Sequence, residues 1–160
     1  MPPPESASYL DQFASELSRE LGIAIWVFSA IESATFDYLK KLSTEPLHEL
    51  MANQLFKPRI TLVRALVNRI DGFEQEKVKA LGYLKHAEEL AKTRNAIAHN
   101  PWQIWADFES KELKAEIKPR KPKGKMENLD SIKAFIQDAE KVLKGMQSAL
   151  DSLPFISNDG

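Results

Sequence analysis

Apolar residues recur at helical spacing over four long stretches, and this periodicity constrains the fold more than any other feature. The stretches run to about residue 42, from 47 to 70, from 74 to 99 and from about 129 to 152. Residues three and four apart share one face of an α-helix, so each stretch needs a neighbour to cover its apolar face. The sequence therefore predicts an all-α fold, an up-down bundle of four long helices.

The period changes between the third and fourth helices. Apolar and polar residues alternate after Pro101 and again after Lys111: Trp102, Ile104, Ala106 and Phe108, then Leu113, Ala115 and Ile117. Strict alternation is typical of β-strands, so we expect a short hairpin or irregular insert before the last helix. The composition of the second arm, rich in Lys, Glu, Leu and Ala, also favours a helix.

The chain length suits one domain. A chain of 160 residues with 43% hydrophobic residues can bury a core of its own. We expect a single domain over 1–160, with 1–7 and 154–160 disordered.

Pro58 interrupts the second helix, so a kink is expected near residues 54–57. Arg59, Arg64 and Arg69 fan around that helix, and most are expected to be solvated.

Charge and composition exclude several classes of protein. The net charge of −1 means that nucleic-acid binding would need a local basic patch. Without Cys there is no disulfide, thiolate catalysis or zinc ribbon, and with three His and no ligand pattern we predict neither a metal nor another cofactor. Residues 21–31 form the longest uncharged run, too short to cross a bilayer. With no secretory signal visible, we predict no membrane contact and a cytoplasmic protein.

The middle of the first helix is apolar nearly all round. Ile23, Ile25, Trp26 and Val27 add apolar side chains outside its main stripe. A helix that is apolar on every side needs a second contact surface. One interpretation is a subunit interface, which predicts a homodimer, and the other is a helix at the centre of its own monomer.

Polar residues of catalytic type are concentrated at the end of the third helix. Asn95 and His99 are four residues apart and share a helix face, and Arg94 can bend its long stem towards them. Pro101 ends the helix, so His99 lies at a helix C-terminus, where the dipole favours a cationic side chain. An Arg and a His at such a place suit a phosphate-like anion. The alternative is a pair of capping residues beside a surface Arg.

The motif R-N-A-I-A-H resembles the signature of the HEPN superfamily, in which an Arg and a polar residue precede His. It resembles in particular small bacterial HEPN-like proteins whose pattern extends to a Trp. The matching residues are Arg94, Asn95, Ala98, His99, Asn100 and Trp102. The resemblance would extend over roughly residues 8–152 and implies a helical bundle that is usually dimeric. Many such domains are metal-independent endoribonucleases, and others have lost activity.

The resemblance implies a catalytic role for each of the three motif residues. His99 would be the general acid or base on the ribose 2′-OH or the leaving 5′-oxygen, and Arg94 would stabilise the charge at phosphorus. Asn95 would orient His99 or a phosphate oxygen. RNA would be the substrate of a toxin or defence protein, with an antitoxin protein as partner. The alternatives are a non-catalytic module that binds nucleotide, RNA or a protein, and a purely structural dimeric bundle.

Further binding residues are predicted outside the motif. Glu32 is either a partner for a basic residue such as Arg94 or a solvated carboxylate. Trp102 is expected either to stack on bases or to cover the end of the bundle. The basic segment 118–125 is expected to be a mobile loop, either contacting the phosphate backbone or acting as a solvated linker. Its candidate cations are Lys118, Arg120, Lys121 and Lys123.

Overall fold

The computed structural model is mostly helical, as the sequence predicts, with one small two-stranded sheet. The structure describes residues 4–107, 109–117 and 127–156. In chain order the elements are α1 (Pro4–Leu42), α2 (Leu47–Leu50), α3 (Phe56–Asn68), α4 (Glu74–His99), β1 (Trp102–Asp107), β2 (Glu112–Ile117) and α5 (Leu129–Ser152). Residues 4–7, predicted to be disordered, belong to α1.

The chain divides into two units, each with its own buried residues. The first comprises Met1–Val27 and Lys92–Gln137 and contains the hairpin and the C-terminal end of α4. Its core is built from β2 and parts of three helices: Leu17, Ala24, Val27, Ile97, Ala115, Ile117, Ile132, Phe135 and Ile136. The second comprises Phe28–Ala91 and Asp138–Gly160. Its core includes Phe28, Ile31, Leu39, Ile60, Val63, Leu84, Val142 and Met146.

In the second unit, the C-terminal ends of α1 and α5 are joined by polar contacts. The buried Tyr38 hydroxyl donates a hydrogen bond to the Met146 carbonyl at 2.7 Å. The Lys41 ammonium donates to the carbonyls of Leu150 and Asp151 at 2.6 and 3.3 Å. A cation at a helix C-terminus satisfies orphan carbonyls and complements the helix dipole. These bonds fix the end of α5 against α1.

The prediction of one kinked second helix was wrong. Instead of a kink near 54–57, the helix stops at Leu50, and α3 begins at Phe56 after a turn. Pro58 lies in the first turn of α3, where its missing N–H would have no helical partner in any case. One continuous helix through Pro58 is disfavoured because the proline ring would clash with the carbonyl of Gln54, four residues back.

The prediction that the arginines of α3 are mostly solvated was wrong for Arg59, which is 5% exposed. Its Nε donates a hydrogen bond to Thr35 Oγ1 at 2.7 Å, and its Nη1 donates to the Gln54 carbonyl at 3.1 Å. The guanidinium also lies 4.2 Å from the centre of the Phe36 ring. Burial lowers the pKa of Arg59, and the carboxylate of Glu32 opposes that shift. Arg69 is exposed and Arg64 is half-exposed.

The predicted hairpin is present in the first unit, and both arms are strands. β1 and β2 are antiparallel, with Trp102 opposite Ile117 and Asp107 opposite Glu112. The face with Ile104 and Ala115 turns apolar side chains inward, and the other face carries mostly polar ones. Lys111, in the turn, has a φ of 58°, a conformation in which most L residues are disfavoured.

The start of α5 is capped within the first unit. The Ser131 amide donates to Asn128 Oδ1 at 2.9 Å, and the Asn128 amide donates to Ser131 Oγ at 2.7 Å. This reciprocal arrangement satisfies orphan donors of the first helical turn. The cap fixes α5 directly beside the end of β2, because Glu116 and Asn128 form an antiparallel bridge.

Replacement of Gly145 tests the packing of α4 against α5 in the second unit. A Cβ at residue 145 would overlap ring atoms Cδ1, Cε1 and Cζ of Tyr83. We expect Gly145→Ala to lower the free energy of unfolding by about 1–3 kcal/mol through overpacking. Gly82 in α4 is the matched control, because a Cβ there meets nothing within 4 Å. Gly82→Ala should raise stability by about 0.5–1 kcal/mol, as helix propensity dictates. Urea denaturation measures both, and equal stabilisation by both would contradict this packing.

Candidate functional site

The motif residues lie together on the last two turns of α4, within the first unit. Asn95 and His99 are exposed and share a helix face, as their spacing predicts. Arg94 is half-buried. Ile97, between them in sequence, is buried and anchors this turn in the core. The helix therefore holds its polar motif residues at the surface on a rigid, packed backbone.

The C-terminal carbonyls of α4 are satisfied by side chains that follow the helix. Asn100 Nδ2 donates to the Ala96 carbonyl at 2.9 Å, and Trp102 Nε1 donates to the Ile97 carbonyl at 3.1 Å. Pro101 stands between these two donors and prevents the helix from continuing. The carbonyls at the end of α4 are thus satisfied by the side chains of Asn100 and Trp102, which flank Pro101.

His99 is left out of this capping arrangement. Its side chain is exposed, and it makes no hydrogen bond to another residue of the described part of the chain. The interpretation of His99 as a helix cap is therefore wrong, because Asn100 and Trp102 occupy that role. An exposed imidazole can accept or donate a proton at either ring nitrogen.

The Trp102 side chain contacts the end of α4 and is only partly exposed at the surface. It was predicted to stack on bases or to cover the end of the bundle, and its half-buried indole directs its N–H to Ile97. Trp105, on the opposite face of the hairpin, is the more exposed indole, at 42%. The alternation of the strand separates these two faces, so sequence alone could have distinguished the two tryptophans.

A charged group on the outer hairpin face was missed by the sequence reasoning. Lys114 Nζ lies 2.5 Å from Asp107 Oδ2 and 5.4 Å from the centre of the Trp105 ring. The hydrogen bond from Lys114 lowers the pKa of Asp107 to about 2, and the same bond raises the pKa of Lys114. Both side chains stay charged near neutral pH and form a pair. The hairpin register places Trp105 opposite Lys114, and this cross-strand pairing indicates a group of interacting side chains on the outer face.

The roles of the other predicted binding residues stay predictions. Glu32 belongs to the second unit, where it interacts electrostatically with Arg59, and its pairing with Arg94 stays a prediction. The basic candidates lie outside the described residues: Lys118, Arg120, Lys121 and Lys123. Their role in RNA contact stays a prediction too.

His86 has a partner that sequence reasoning did not find. In the second unit its Nε2 lies 2.9 Å from Asp138 Oδ2, and both side chains are partly exposed. The pair joins α4 to α5. Among the described residues no group of three or more His, Asp or Glu side chains is arranged to hold a metal ion.

Comparisons of the chain with protein-family models, curated proteins and solved structures found no match. No helix in the described part of the chain is both long and apolar enough to span a bilayer. The assignment of a function therefore depends on the motif and its geometry.

Replacement of Trp102 tests the closure of α4. Trp102→Phe keeps an aromatic ring but removes the donor to the Ile97 carbonyl, so we expect a loss of about 1 kcal/mol in the free energy of unfolding. Faster amide exchange should appear in the last turn of α4. Trp105→Phe is the matched control, and its effect should stay within about 0.5 kcal/mol, as for other surface substitutions. Equal effects of the two variants would argue against the cap.

Proposed function

We propose that the protein is a metal-independent endoribonuclease of HEPN type, with a composite site formed by two copies of the chain. The observation that carries the proposal is the exposed Asn95–His99 face at the end of α4, with Arg94 beside it and the helix carbonyls already satisfied by other side chains. An imidazole not engaged in capping is available for proton transfer. The resemblance of the motif to the HEPN signature gives the arrangement its chemical interpretation.

The chemistry assigned to the site needs only these side chains. His99 would remove the proton of the ribose 2′-OH or supply one to the leaving 5′-oxygen. Arg94 would stabilise the negative charge that develops on the phosphoryl oxygens. Asn95, one turn before His99 on the same face, would orient the imidazole or a phosphate oxygen.

A second copy is required because one His99 cannot lie on both sides of the phosphorus. In-line displacement needs a base at the attacking oxygen and an acid at the leaving oxygen. A two-fold dimer that brings two α4 ends together would supply two His99 and two Arg94 side chains. A symmetric interface of this kind is the commonest form of homo-oligomer.

The exposed part of α1 supports such a dimer. Trp26 is 76% exposed and Ile25 is 37% exposed, so the apolar centre of α1 is not fully covered within its own chain. Gly22, one turn before Trp26, leaves open space beside it. Large apolar side chains at the surface mark interaction sites when they occur together. We assign this face to the subunit contact.

The proposal includes an architecture and a cellular role. The long helices α1, α3, α4 and α5 would form an up-down bundle, with α2 and the hairpin as insertions. The protein would act in the cytoplasm as a toxin or defence nuclease and would be held inactive by an antitoxin protein.

A non-catalytic HEPN-like module is the second candidate. The observation that favours it is the single set of Arg94, Asn95 and His99 in each chain, which can bind a phosphate but lacks the second proton-transfer group. A chain that does not dimerise would be such a module, binding nucleotide, RNA or a protein partner.

Cleavage of RNA tests the enzymatic proposal. We expect single-stranded RNA to be cut in the presence of EDTA, leaving 2′,3′-cyclic phosphate ends, and DNA to be spared because it lacks the 2′-OH. His99→Ala and Arg94→Ala should each lower the rate by about 10²–10⁴-fold. His86→Ala and Arg69→Ala are matched controls in α4 and just after α3, and they should cleave at the wild-type rate. Full activity in His99→Ala would show that the site assignment is wrong.

Sedimentation tests the dimer separately from catalysis. The wild-type protein at micromolar concentration should sediment as two chains of 18.1 kDa each. Trp26→Glu should give a folded single chain, because a carboxylate in an apolar interface core is strongly disfavoured. Trp105→Glu, which places the same charge at another exposed tryptophan, should leave the dimer intact. A single-chain wild-type species would favour the binding module.

A further inference from the structure

A groove of about 240 Å³ runs along one edge of the hairpin, and no residue of α4 lines it. Five consecutive residues of β2, from Glu112 to Glu116, line it. Side chains of a strand alternate between its faces, so only an edge can present five consecutive residues to one groove. Phe13 of α1 and the start of α5 at Leu129 form the other walls.

The edge of β2 in this groove has unused backbone groups. The Ile117 amide points away from β1, because it donates to the Glu127 carbonyl at 2.8 Å. Residues two and four positions earlier on a strand share its orientation, so the amides of Leu113 and Ala115 point away from β1 as well. Among the described residues, only the bridge between Glu116 and Asn128 pairs with this edge. The antiparallel bridge places Leu129 opposite Ala115, which is 2% exposed, so the accessible backbone groups of this edge are those of Leu113.

The groove carries excess negative charge. Three carboxylates line it, those of Glu112, Glu116 and Asp130, against one ammonium, that of Lys114. The net charge of the lining is thus −2. Lys114 is already paired with Asp107, whose low pKa keeps that pair charged at neutral pH. The charge repels a nucleic-acid backbone and attracts cationic side chains.

We propose that the edge of β2 binds an extended, lysine- or arginine-bearing peptide segment of a partner protein, which adds a third strand to the hairpin. Its backbone would bond to the amide and the carbonyl of Leu113 in the manner of β-strand addition. Cationic side chains on one face of the added strand would lie beside Glu112 and Glu116. Apolar side chains on its other face would contact Phe13 and Leu129. The inference is independent of RNA cleavage.

A short edge predicts weak binding. Leu113 offers only its own amide and carbonyl, so a minimal peptide should bind with a Kd of about 0.1–1 mM. The probe is a synthetic seven-residue peptide that alternates lysine with valine. Added to the full-length, ¹⁵N-labelled protein, it should shift the amide resonance of Leu113 saturably. The same peptide with N-methylated valines cannot donate a backbone bond to Leu113 and should not produce this shift.

Charge variants test the complementarity. Glu112→Lys should weaken binding of the lysine peptide about three- to fivefold, as expected for a partly exposed ion pair. Glu109→Lys is the matched control: Glu109 is exposed in the hairpin turn and does not line the groove. Its effect should be below about twofold. Hairpin amide resonances retained in both variants show that the fold is intact.

Three results would overturn the proposal. The first is no saturable shift at Leu113, and the second is equal binding of the N-methylated peptide, which would reduce the contact to charge alone. The third is a shift of this amide with protein concentration in the absence of peptide. That result would assign the edge to a second copy of this chain instead of a partner protein.

Discussion

The first unit depends on how α4 ends. Pro101 cannot continue the helix, and the residues on either side of it, Asn100 and Trp102, donate to the carbonyls of Ala96 and Ile97. Trp102 is also the first residue of β1, so the same contact that closes the helix sets where the hairpin begins. The imidazole of His99 is exposed because other side chains complete the helix end.

Cationic side chains also satisfy backbone carbonyls at or near the ends of other helices. Lys41 donates to Leu150 and Asp151 at the end of α5, and Lys77 donates to the Ile70 carbonyl after α3 at 2.8 Å. Arg59 satisfies the Gln54 carbonyl just before α3 begins. The Lys41 contacts satisfy orphan carbonyls of α5, and the Lys77 and Arg59 contacts satisfy carbonyls of the segments that flank α3. The long aliphatic stems of these cations let them reach the carbonyls.

Local signals in the sequence were sufficient for much of the fold. The bounds of α4 follow from the Asp71-Gly72 stop before it and Pro101 after it, and the alternation after Pro101 gave β1. The helix face shared by Asn95 and His99 follows from their spacing alone. These features are set by residues within one or two turns of each other.

Features that depend on tertiary partners could not be predicted. Arg59 is buried because Thr35 and Phe36, 24 and 23 residues earlier, offer it an acceptor and a ring face. The role of Trp102 as a cap requires its indole to turn back to α4, which periodicity cannot show. The same holds for the groove, whose open edge depends on where Asn128 meets β2.

The central claim is that cleavage requires His99 from two chains at one site. Co-refolding wild-type protein with increasing amounts of His99→Ala protein tests it most directly, with RNA cleavage measured at constant total protein. A composite site predicts that activity falls as the square of the wild-type fraction, to about a quarter in an equal mixture. Activity that falls linearly, to about half, would show that each chain acts alone and would contradict the account.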